Sequence, residues 1–295
     1  MFHSFTEAER ANMDAVCRHI ARHFEPVSLS SIIDAIEQGK ELPDNAIAIT
    51  VDDGYRNFLF HGHPVFRKHG IPTTVYPVAA FSAGRIWLWP DQIEFGIRHT
   101  AKQSITAFIR TGKGLNATEY PLATPEERAT AIDRIQQSLI HMPNAWRLQF
   151  LADFGELCGV EIPPTPPAGR EALSWDDLRG LAAEGVEIGC HTSTHPILSR
   201  LDDGGELERE IRGAGEEIAE KTGLAVRHFC YPNGRPVDIG QAAIDCVREA
   251  GYSSAVTCSW GLNPIGAEPL EIRRIPFDST IEYRYGVELL AGLHM

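Results

Sequence analysis

Long hydrophobic runs are missing from this 295-residue sequence. No segment approaches the roughly 20 apolar residues that a membrane-spanning helix requires. The N-terminal stretch, where a signal peptide would lie, is interrupted by Glu7, Glu9 and Asp14. We therefore predict a protein with no membrane span and no secretory signal in the sequence as written, and we expect it to be cytoplasmic.

Positive charge and cysteine are also scarce. The 27 Lys and Arg residues stand against 40 Asp and Glu, which gives a formal net charge of -13. Such a negative field repels phosphate backbones, so nucleic acid is excluded as the expected partner. The 6 cysteines are scattered and form no Cys-x-x-Cys pair, which argues against a disulfide-stapled domain and favours reduced thiols.

The sequence does contain short apolar runs, rich in β-branched residues and bounded by turn residues, that alternate with helix-like stretches. This alternation predicts an α/β protein with a parallel sheet. The predicted strands are Ala46–Val51, Thr73–Val78, Val186–Cys190, Arg227–Tyr231, Ser253–Thr257 and Leu270–Ile275. The predicted helices between them include Asn57–His69, Glu206–Thr222 and Ile239–Ala250.

The segment 85–170 breaks this alternation. Pro125–His141 and Pro143–Cys158 have the pattern of consecutive helices, and a proline-rich connector, Ile162–Gly169, closes the segment. Ser174 then has the position of an N-cap for a helix over Trp175–Glu184. We predict one catalytic domain over residues 1–295, with a helical insertion at 85–170. Trp87 and Trp89 in this insertion either stack on sugars or, as we favour, anchor a helix to the core.

Two adjacent carboxylates, Asp52 and Asp53, follow the first predicted buried strand and precede Gly54. The carboxyl end of a parallel strand is where α/β folds place functional groups. Because adjacent side chains diverge, one carboxylate can bind a cation while the other contacts a different ligand. The alternative is a solvated Asp-Asp-Gly turn.

Two histidines, His191 and His195, follow a later strand and lie four positions apart. Neutral imidazole is a common ligand of zinc and similar ions, and an open catalytic site needs three protein ligands. Asp53 is the candidate third ligand. Because Thr192 follows the first histidine where a zincin helix has glutamate, the base must come from elsewhere, and Asp52 is the candidate. The alternative is a pair of incidental surface histidines.

Together, Thr50-x-Asp-Asp-Gly-Tyr55 and Gly189-x-His-Thr-x-x-His195 resemble the first two motifs of the polysaccharide deacetylases, the NodB homology domain or carbohydrate esterase family four. The resemblance extends from about Phe24 to Pro276 and implies a distorted (β/α) barrel of about seven parallel strands. It implies Asp52 as general base, with Asp53, His191 and His195 holding a divalent metal, zinc before cobalt, manganese or nickel.

The third family motif, Arg-x-Pro-Tyr-Gly, is similar to Cys230-Tyr-Pro-Asn-Gly234. The resemblance implies that the backbone N–H of Asn233 helps to form an oxyanion hole, which does not depend on the side chain. It further implies substrate contacts by the following residues of the third, fourth and fifth motif regions: Tyr231, Pro232, Trp260 and Arg274.

The sequence departs from the family pattern at three points. Cys230 stands where the family often has an arginine that orients the catalytic aspartate, and Arg235 is a candidate substitute. The fifth-motif strand, Leu270–Pro276, lacks the usual histidine acid, which leaves His3, His61, His63 or protonated Asp52 as candidate proton donors. The first family strand, which contains Tyr-His-Arg, is expected to lie upstream of this sequence or to be absent from the barrel.

The resemblance implies a metal-dependent hydrolase that removes N- or O-linked acetyl groups from a saccharide. One alternative is a hydrolase of non-sugar amides or cyclic imides on the same fold. The other is a non-catalytic glycan-binding protein. The expected partner is an acetylated saccharide, and the sequence does not determine the oligomeric state.

Overall fold

The computed structural model describes residues 1–111, 114–201, 204–264, 266–277, 280–281 and 283–290. The strands are β1 (Glu25–Pro26), β2 (Ala46–Ile47), β3 (Ile49–Val51), β4 (Thr73–Val75), β5 (Ser104–Thr111), β6 (Gly114–Pro121), β7 (Glu187–Ile188), β8 (His228–Cys230), β9 (Ser254–Trp260) and β10 (Ile272–Arg274). The helices are α1 (Arg10–His23), α2 (Leu29–Gln38), α3 (His63–Lys68), α4 (Ala79–Ser82), α5 (Trp89–His99), α6 (Pro125–Ile140), α7 (Asn144–Cys158), α8 (Trp175–Ala183), α9 (Gly204–Glu208), α10 (Ala214–Thr222), α11 (Pro236–Ile239), α12 (Gln241–Glu249) and α13 (Tyr283–Leu290). Short 3-10 turns lie at Glu7–Glu9, Leu198–Arg200 and Pro269–Glu271, and π-helical turns lie at Phe58–Gly62 and Arg209–Gly213.

Parallel pairing dominates the centre of the molecule. Three strands pair in the order β3-β4-β7 and three more in the order β10-β9-β8, all parallel. A parallel bridge between Cys190 and Phe229 connects the two sets. The predicted α/β class with parallel strands is therefore confirmed. Among the described residues the strands form small sheets, none of which closes, so the seven-stranded barrel stays a prediction.

The N-terminal residues lie beside β3, where the sequence analysis expected no strand. The Phe2 N–H donates to the Thr50 carbonyl and the Phe2 carbonyl accepts from the Asp52 N–H, both at 2.8 Å. On the other side, the Met1 carbonyl accepts from the Phe277 N–H at 2.9 Å. The expectation that this position lies upstream of the sequence or is empty was wrong, because Phe2 itself forms a parallel bridge with Val51 of β3.

The predicted helices are present, with ends set by local chemistry. The Ser174 hydroxyl accepts from the Asp177 N–H at 3.1 Å and begins α8, as predicted. Thr124 and Glu127 form a reciprocal cap at the start of α6, in which the Thr124 hydroxyl accepts from the Glu127 N–H and the Glu127 carboxylate accepts from the Thr124 N–H. The left-handed Gly159, at φ 66°, ends α7. The side chains of α1, α3, α8 and α10 pack with those of β3, β4 and β7 in the largest hydrophobic cluster.

The 85–170 segment is less helical than predicted. It contains α5, α6 and α7 as well as the antiparallel hairpin of β5 and β6. Alternate residues of β5, namely Ile105, Ala107 and Ile109, are buried, whereas Phe108 is exposed. This period of two is the sequence signal that could have found the strand. The segment has its own apolar cluster, which also includes Ile197 from the loop after β7.

Among the described residues, no helix combines the length and the apolar character that crossing a bilayer requires.

Phe2 ties the N-terminal residues to the core and gives a test of this arrangement. Its ring is 2% exposed and packs against Phe5, Phe66 and Phe277 at centroid distances of 5.7, 5.5 and 5.2 Å. We predict that Phe2→Ala lowers the free energy of unfolding by roughly 3–5 kcal/mol in urea denaturation, because it leaves a cavity. Phe108→Ala, at a ring that is 61% exposed, should change it by less than about 0.5 kcal/mol. Equal effects of the two substitutions would contradict the packing of residues 1–3.

Candidate active site

The predicted site residues come from different strands but meet at the same end of the parallel sheets. Asp52 and Asp53 follow β3, whereas His191 and His195 lie on the loop after β7. Asn233 follows β8, and Arg274 is the last residue of β10. Since neighbouring parallel strands end at one edge, residues separated by more than 200 positions become neighbours.

Asp53, His191 and His195 converge on one point. The Asp53 Oδ1 lies 3.4 Å from the His191 Nε2 and 3.5 Å from the His195 Nε2. All three side chains are buried, and one potential ligand atom from each lies within 4.8 Å of those from the other two. Two imidazole nitrogens and one carboxylate oxygen make a donor set that suits zinc with an open coordination position.

Hydrogen bonds and burial prepare the two imidazoles as electron-pair donors. The His191 Nδ1 donates to the Cys230 carbonyl at 2.7 Å, which directs Nε2 at Asp53. Burial, with the neighbouring His191, lowers the pKa of His195 to about 3. His195 is therefore neutral at physiological pH, the state in which imidazole binds a metal.

Backbone strain is concentrated at this site. Among the described residues, the non-glycine residues with positive φ are Asp53 (69°), Thr192 (66°), His195 (57°) and Asn233 (57°). Left-handed backbone is unfavourable for residues with a Cβ and persists only where the surroundings enforce it. The adjacent Gly54, at φ 78°, has no room for a side chain, because a Cβ there would meet the Pro77 Cα at 2.9 Å. The turn after β3 therefore requires glycine.

Glu210 and Trp89 bond to the loop that carries His191 and His195, here called the histidine loop. The sequence analysis did not single out either residue for this purpose. The Glu210 carboxylate accepts from the N–H groups of Ser193 and Thr194 at 3.0 and 2.8 Å. The Trp89 indole N–H donates to the His195 carbonyl at 3.2 Å. Trp89 is buried in the 85–170 cluster, so this tryptophan is a core anchor, as we favoured, and it connects the segment to the loop.

Asp52 is paired with Arg274 rather than with a residue of the third motif. The Arg274 guanidinium donates to both Asp52 carboxylate oxygens, at 2.7 and 2.8 Å, and also to the Thr50 hydroxyl at 3.1 Å. Its Nε donates to the Thr257 carbonyl at 2.8 Å. Arg274 is buried and its guanidinium donors bond to protein groups. Its contact with substrate stays a prediction, and the arginine beside the candidate base comes from β10.

This pair controls the charge of Asp52. Burial alone would raise the pKa of the Asp52 carboxyl, but the charge and hydrogen bonds of Arg274 more than offset it and hold this pKa well below its usual range. Asp52 is therefore ionised at neutral pH, the form that can accept a proton. Arg235, the candidate substitute, pairs instead with the buried Asp238 at 2.6 Å.

A cavity of about 340 Å³ lies over these residues. It is lined by Asp52, Asp53, His191, His195, Asn233 and Cys258, with His3, Tyr231 and Arg235 from the surrounding loops and Gln137 and Ile140 from α6. The His3 Nε2 lies 3.9 Å from the Asp52 Oδ2. His61 and His63, the other candidate proton donors, lie elsewhere and bond to Glu7 and Glu184.

The remaining predicted residues differ in their access to this cavity. The Asn233 N–H donates to no acceptor in the part of the chain that the structure describes and borders the cavity. The Tyr231 hydroxyl is buried and donates to the Leu270 carbonyl, and Pro232 is also buried, so neither side chain presents a polar group to a ligand. Trp260, which is 44% exposed, lines an adjoining cavity that shares His3 with the first.

The Asp52–Arg274 pair can be tested by stability measurements. Arg274→Met should lower the free energy of unfolding by about 3–5 kcal/mol, because it leaves a buried carboxylate unpaired. The same substitution at the adjacent, exposed Arg273 should change it by less than about 0.5 kcal/mol. Adding Asp52→Asn to Arg274→Met should restore part of the loss in urea denaturation, because the unpaired charge is removed. No recovery in the double variant would contradict the pairing.

Comparison with known proteins identifies the family. A family model described as polysaccharide deacetylase matches residues 39–255. The poly-beta-1,6-N-acetyl-D-glucosamine N-deacetylase of Escherichia coli K12 is 34% identical over 78 residues, which are 25% of this chain and 10% of that protein. This chain therefore matches only about a tenth of the length of that relative.

Solved structures share the fold at low sequence identity. The Streptococcus pyogenes deacetylase PplD in complex with acetate has a TM-score of 0.61 and 11% identity, covering 98% of this chain and 96% of that chain. IcaB from Ammonifex degensii has a TM-score of 0.57 and 15% identity, covering 98% and 93%. Because the family model spans more than half of the sequence, the chain belongs to the polysaccharide deacetylase family.

Proposed function

We propose that this protein is a metal-dependent deacetylase that hydrolyses the N-acetyl group of an amino sugar in a saccharide. One observation carries the proposal: three buried metal-type donors and an ionised, arginine-paired aspartate line the same cavity. We further propose one catalytic domain on a distorted barrel of about seven strands, with residues 1–3 beside β3. Its cytoplasmic location stays a prediction.

The donor set of this site suits a divalent cation. Asp53, His191 and His195 would hold it, because their donor atoms already converge, the His191 Nδ1 is bonded to a carbonyl and His195 is neutral. The set of two nitrogens and one oxygen favours zinc, with cobalt, manganese or nickel as alternatives. When bound, the cation would make water acidic and polarise the acetyl carbonyl.

Asp52 is the proposed general base. Its carboxylate is ionised and lies within 4.8 Å of a His191 ring nitrogen, and we assign it to proton transfer rather than to the Asp53, His191 and His195 donor set. Arg274 holds both of its oxygens and so orients the carboxylate. Asp52 would take a proton from the attacking water while the water oxygen bonds to the acetyl carbonyl carbon.

Asn233 and His3 are placed for the two remaining tasks. The Asn233 N–H, free of a protein acceptor in the described structure, would donate to the carbonyl oxygen as negative charge develops there. The C–N bond then breaks, and the sugar nitrogen needs a proton to leave as an amine. His3, 3.9 Å from Asp52 and partly exposed to the cavity, is the proposed donor.

The N-acetyl amino sugar is proposed from the comparisons together with the cavity. The Escherichia coli relative is named as an N-acetyl-D-glucosamine polymer N-deacetylase. The cavity of about 340 Å³ is at the small end of ligand pockets, which span roughly 300–1,000 Å³. That size suits one acetylated sugar residue held at the site at a time.

The assigned roles can be tested with variants that are expected to lose either the bound metal or the catalytic turnover. His191→Ala and His195→Ala should lose most bound zinc in metal analysis, because each removes a ligand. Asp52→Asn should retain zinc but release acetate from N-acetylglucosamine oligosaccharides at least about 100-fold more slowly, because it removes the base. His141→Ala, on an exposed residue, is the control. Full zinc content in both histidine variants would refute the site.

The same assay separates the alternatives. Acetate release from acetylated sugars supports the proposal. Turnover of simple amides or cyclic imides without acetate release from sugars would favour a non-sugar C–N hydrolase. Saccharide binding with no turnover at full metal loading would favour a glycan-binding protein.

The role of His3 can be tested with leaving groups of different quality. His3→Gln should greatly slow hydrolysis of the sugar amide, whose nitrogen must be protonated to leave. It should slow the hydrolysis of 4-nitrophenyl acetate much less, because the 4-nitrophenolate group of that ester leaves without a proton. His61→Gln, at a side chain that pairs with Glu7 away from the cavity, should change neither rate. An equal loss on both substrates in His3→Gln would contradict the role as proton donor.

A further inference from the structure

The 85–170 segment supplies one wall of the catalytic cavity through α6. Gln137 and Ile140 line this cavity, opposite the residues that follow the strands. They lie three positions apart and therefore on the same face of the helix. This wall is made by residues outside every motif that the sequence analysis singled out.

The position of α6 is fixed by contacts on its other faces. The Gln136 carboxamide donates to the Pro90 carbonyl at 2.9 Å, next to the start of α5. Arg128 donates to the carbonyls of Ile97 and Thr100 at the end of α5. Ala131, Ile135 and Leu139 are buried in the cluster that also contains Trp89 and Ile197. Trp89 in turn donates to the His195 carbonyl. These contacts connect α6 to the loop that carries His195, a proposed metal ligand.

Gln137 differs from the other glutamines nearby. Gln136 and Gln149 each donate a hydrogen bond within the protein. The exposed Gln137 carboxamide forms none with any residue that the structure describes. A carboxamide has two donor hydrogens and an acceptor oxygen, which match the hydroxyl groups of a sugar. Ile140 adds an apolar surface beside it.

We propose that Gln137 is a substrate-binding and specificity-determining residue, which hydrogen-bonds to the sugar that carries the acetyl group while Ile140 contacts an apolar face of the ring. This inference rests on the proposed deacetylase function. It makes the 85–170 segment the part of the protein that selects the sugar, whereas the strand ends perform the chemistry. The acetyl group itself is bound without Gln137.

Steady-state kinetics test this inference. Gln137→Ala and Gln137→Leu should raise KM for an N-acetylglucosamine oligosaccharide about two- to tenfold, the value of one neutral hydrogen bond, with kcat and zinc content near the unsubstituted values. KM for 4-nitrophenyl acetate should not change, because that substrate has no sugar hydroxyl. A structural role of Gln137 would affect both substrates. Gln149→Ala, an exposed glutamine of α7, is the matched control.

The outcomes separate the two proposals. If the unsubstituted protein deacetylates the oligosaccharide and KM is unchanged in both Gln137 variants, the specificity role is overturned and the deacetylase function stands. Equal KM changes on the sugar and the aryl ester would also overturn the specificity role. If the unsubstituted, zinc-loaded protein releases no acetate from any acetylated sugar, the proposed function fails and this inference fails with it.

Discussion

The buried ion pair between Asp52 and Arg274 is the interaction on which the arrangement of the site depends. Burying two charges costs free energy unless their hydrogen-bonding groups are satisfied. Here the guanidinium reaches both Asp52 oxygens, the Thr50 hydroxyl and the Thr257 carbonyl, and so ties β10 to β3 and β9. Phe2 bonds to β3 and Met1 bonds to Ile275 and Phe277 directly after β10, which places these residues at the end of the sheets that carries the candidate site. One pair therefore sets the charge of the candidate base and joins β10 to β3 beside it.

The loops beside this pair hold unfavourable backbone conformations in place. Asp53, Thr192, His195 and Asn233 have left-handed backbone, and all four lie within or directly beside the proposed machinery. In the histidine loop, Glu210 accepts from the Ser193 and Thr194 N–H groups and the Trp89 indole donates to the His195 carbonyl. Such preorganisation is what a catalytic site requires, because ligands and donors must be in position before the substrate arrives. The 85–170 segment thus contributes to the site twice, by supporting the histidine loop and by forming a wall of the cavity.

The sequence predictions were correct mainly where the signal lies in a short stretch of neighbouring residues. The parallel strands, the cap at Ser174 and the placement of Asp52, Asp53, His191 and His195 at strand ends depend on short patterns, and the structure has all of them. The hairpin of β5 and β6 was missed although its alternation was readable, because the neighbouring helical patterns dominated the interpretation of the segment. The partner of Asp52 was missed for a different reason. Arg274 is 222 positions away, and no local pattern distinguishes it from the adjacent Arg273, which is exposed.

The sequence by itself determined the α/β class, the family resemblance and the residue types able to bind a metal and accept a proton, because periodicity and motif spacing are properties of neighbouring residues. Only the tertiary structure decided which arginine neutralises Asp52, that His3 rather than His61 or His63 reaches the cavity, and that α6 lines it. These relations join residues far apart in sequence, and they follow from how strands and helices pack. Packing depends on the shape and burial of the whole chain, and no motif encodes it.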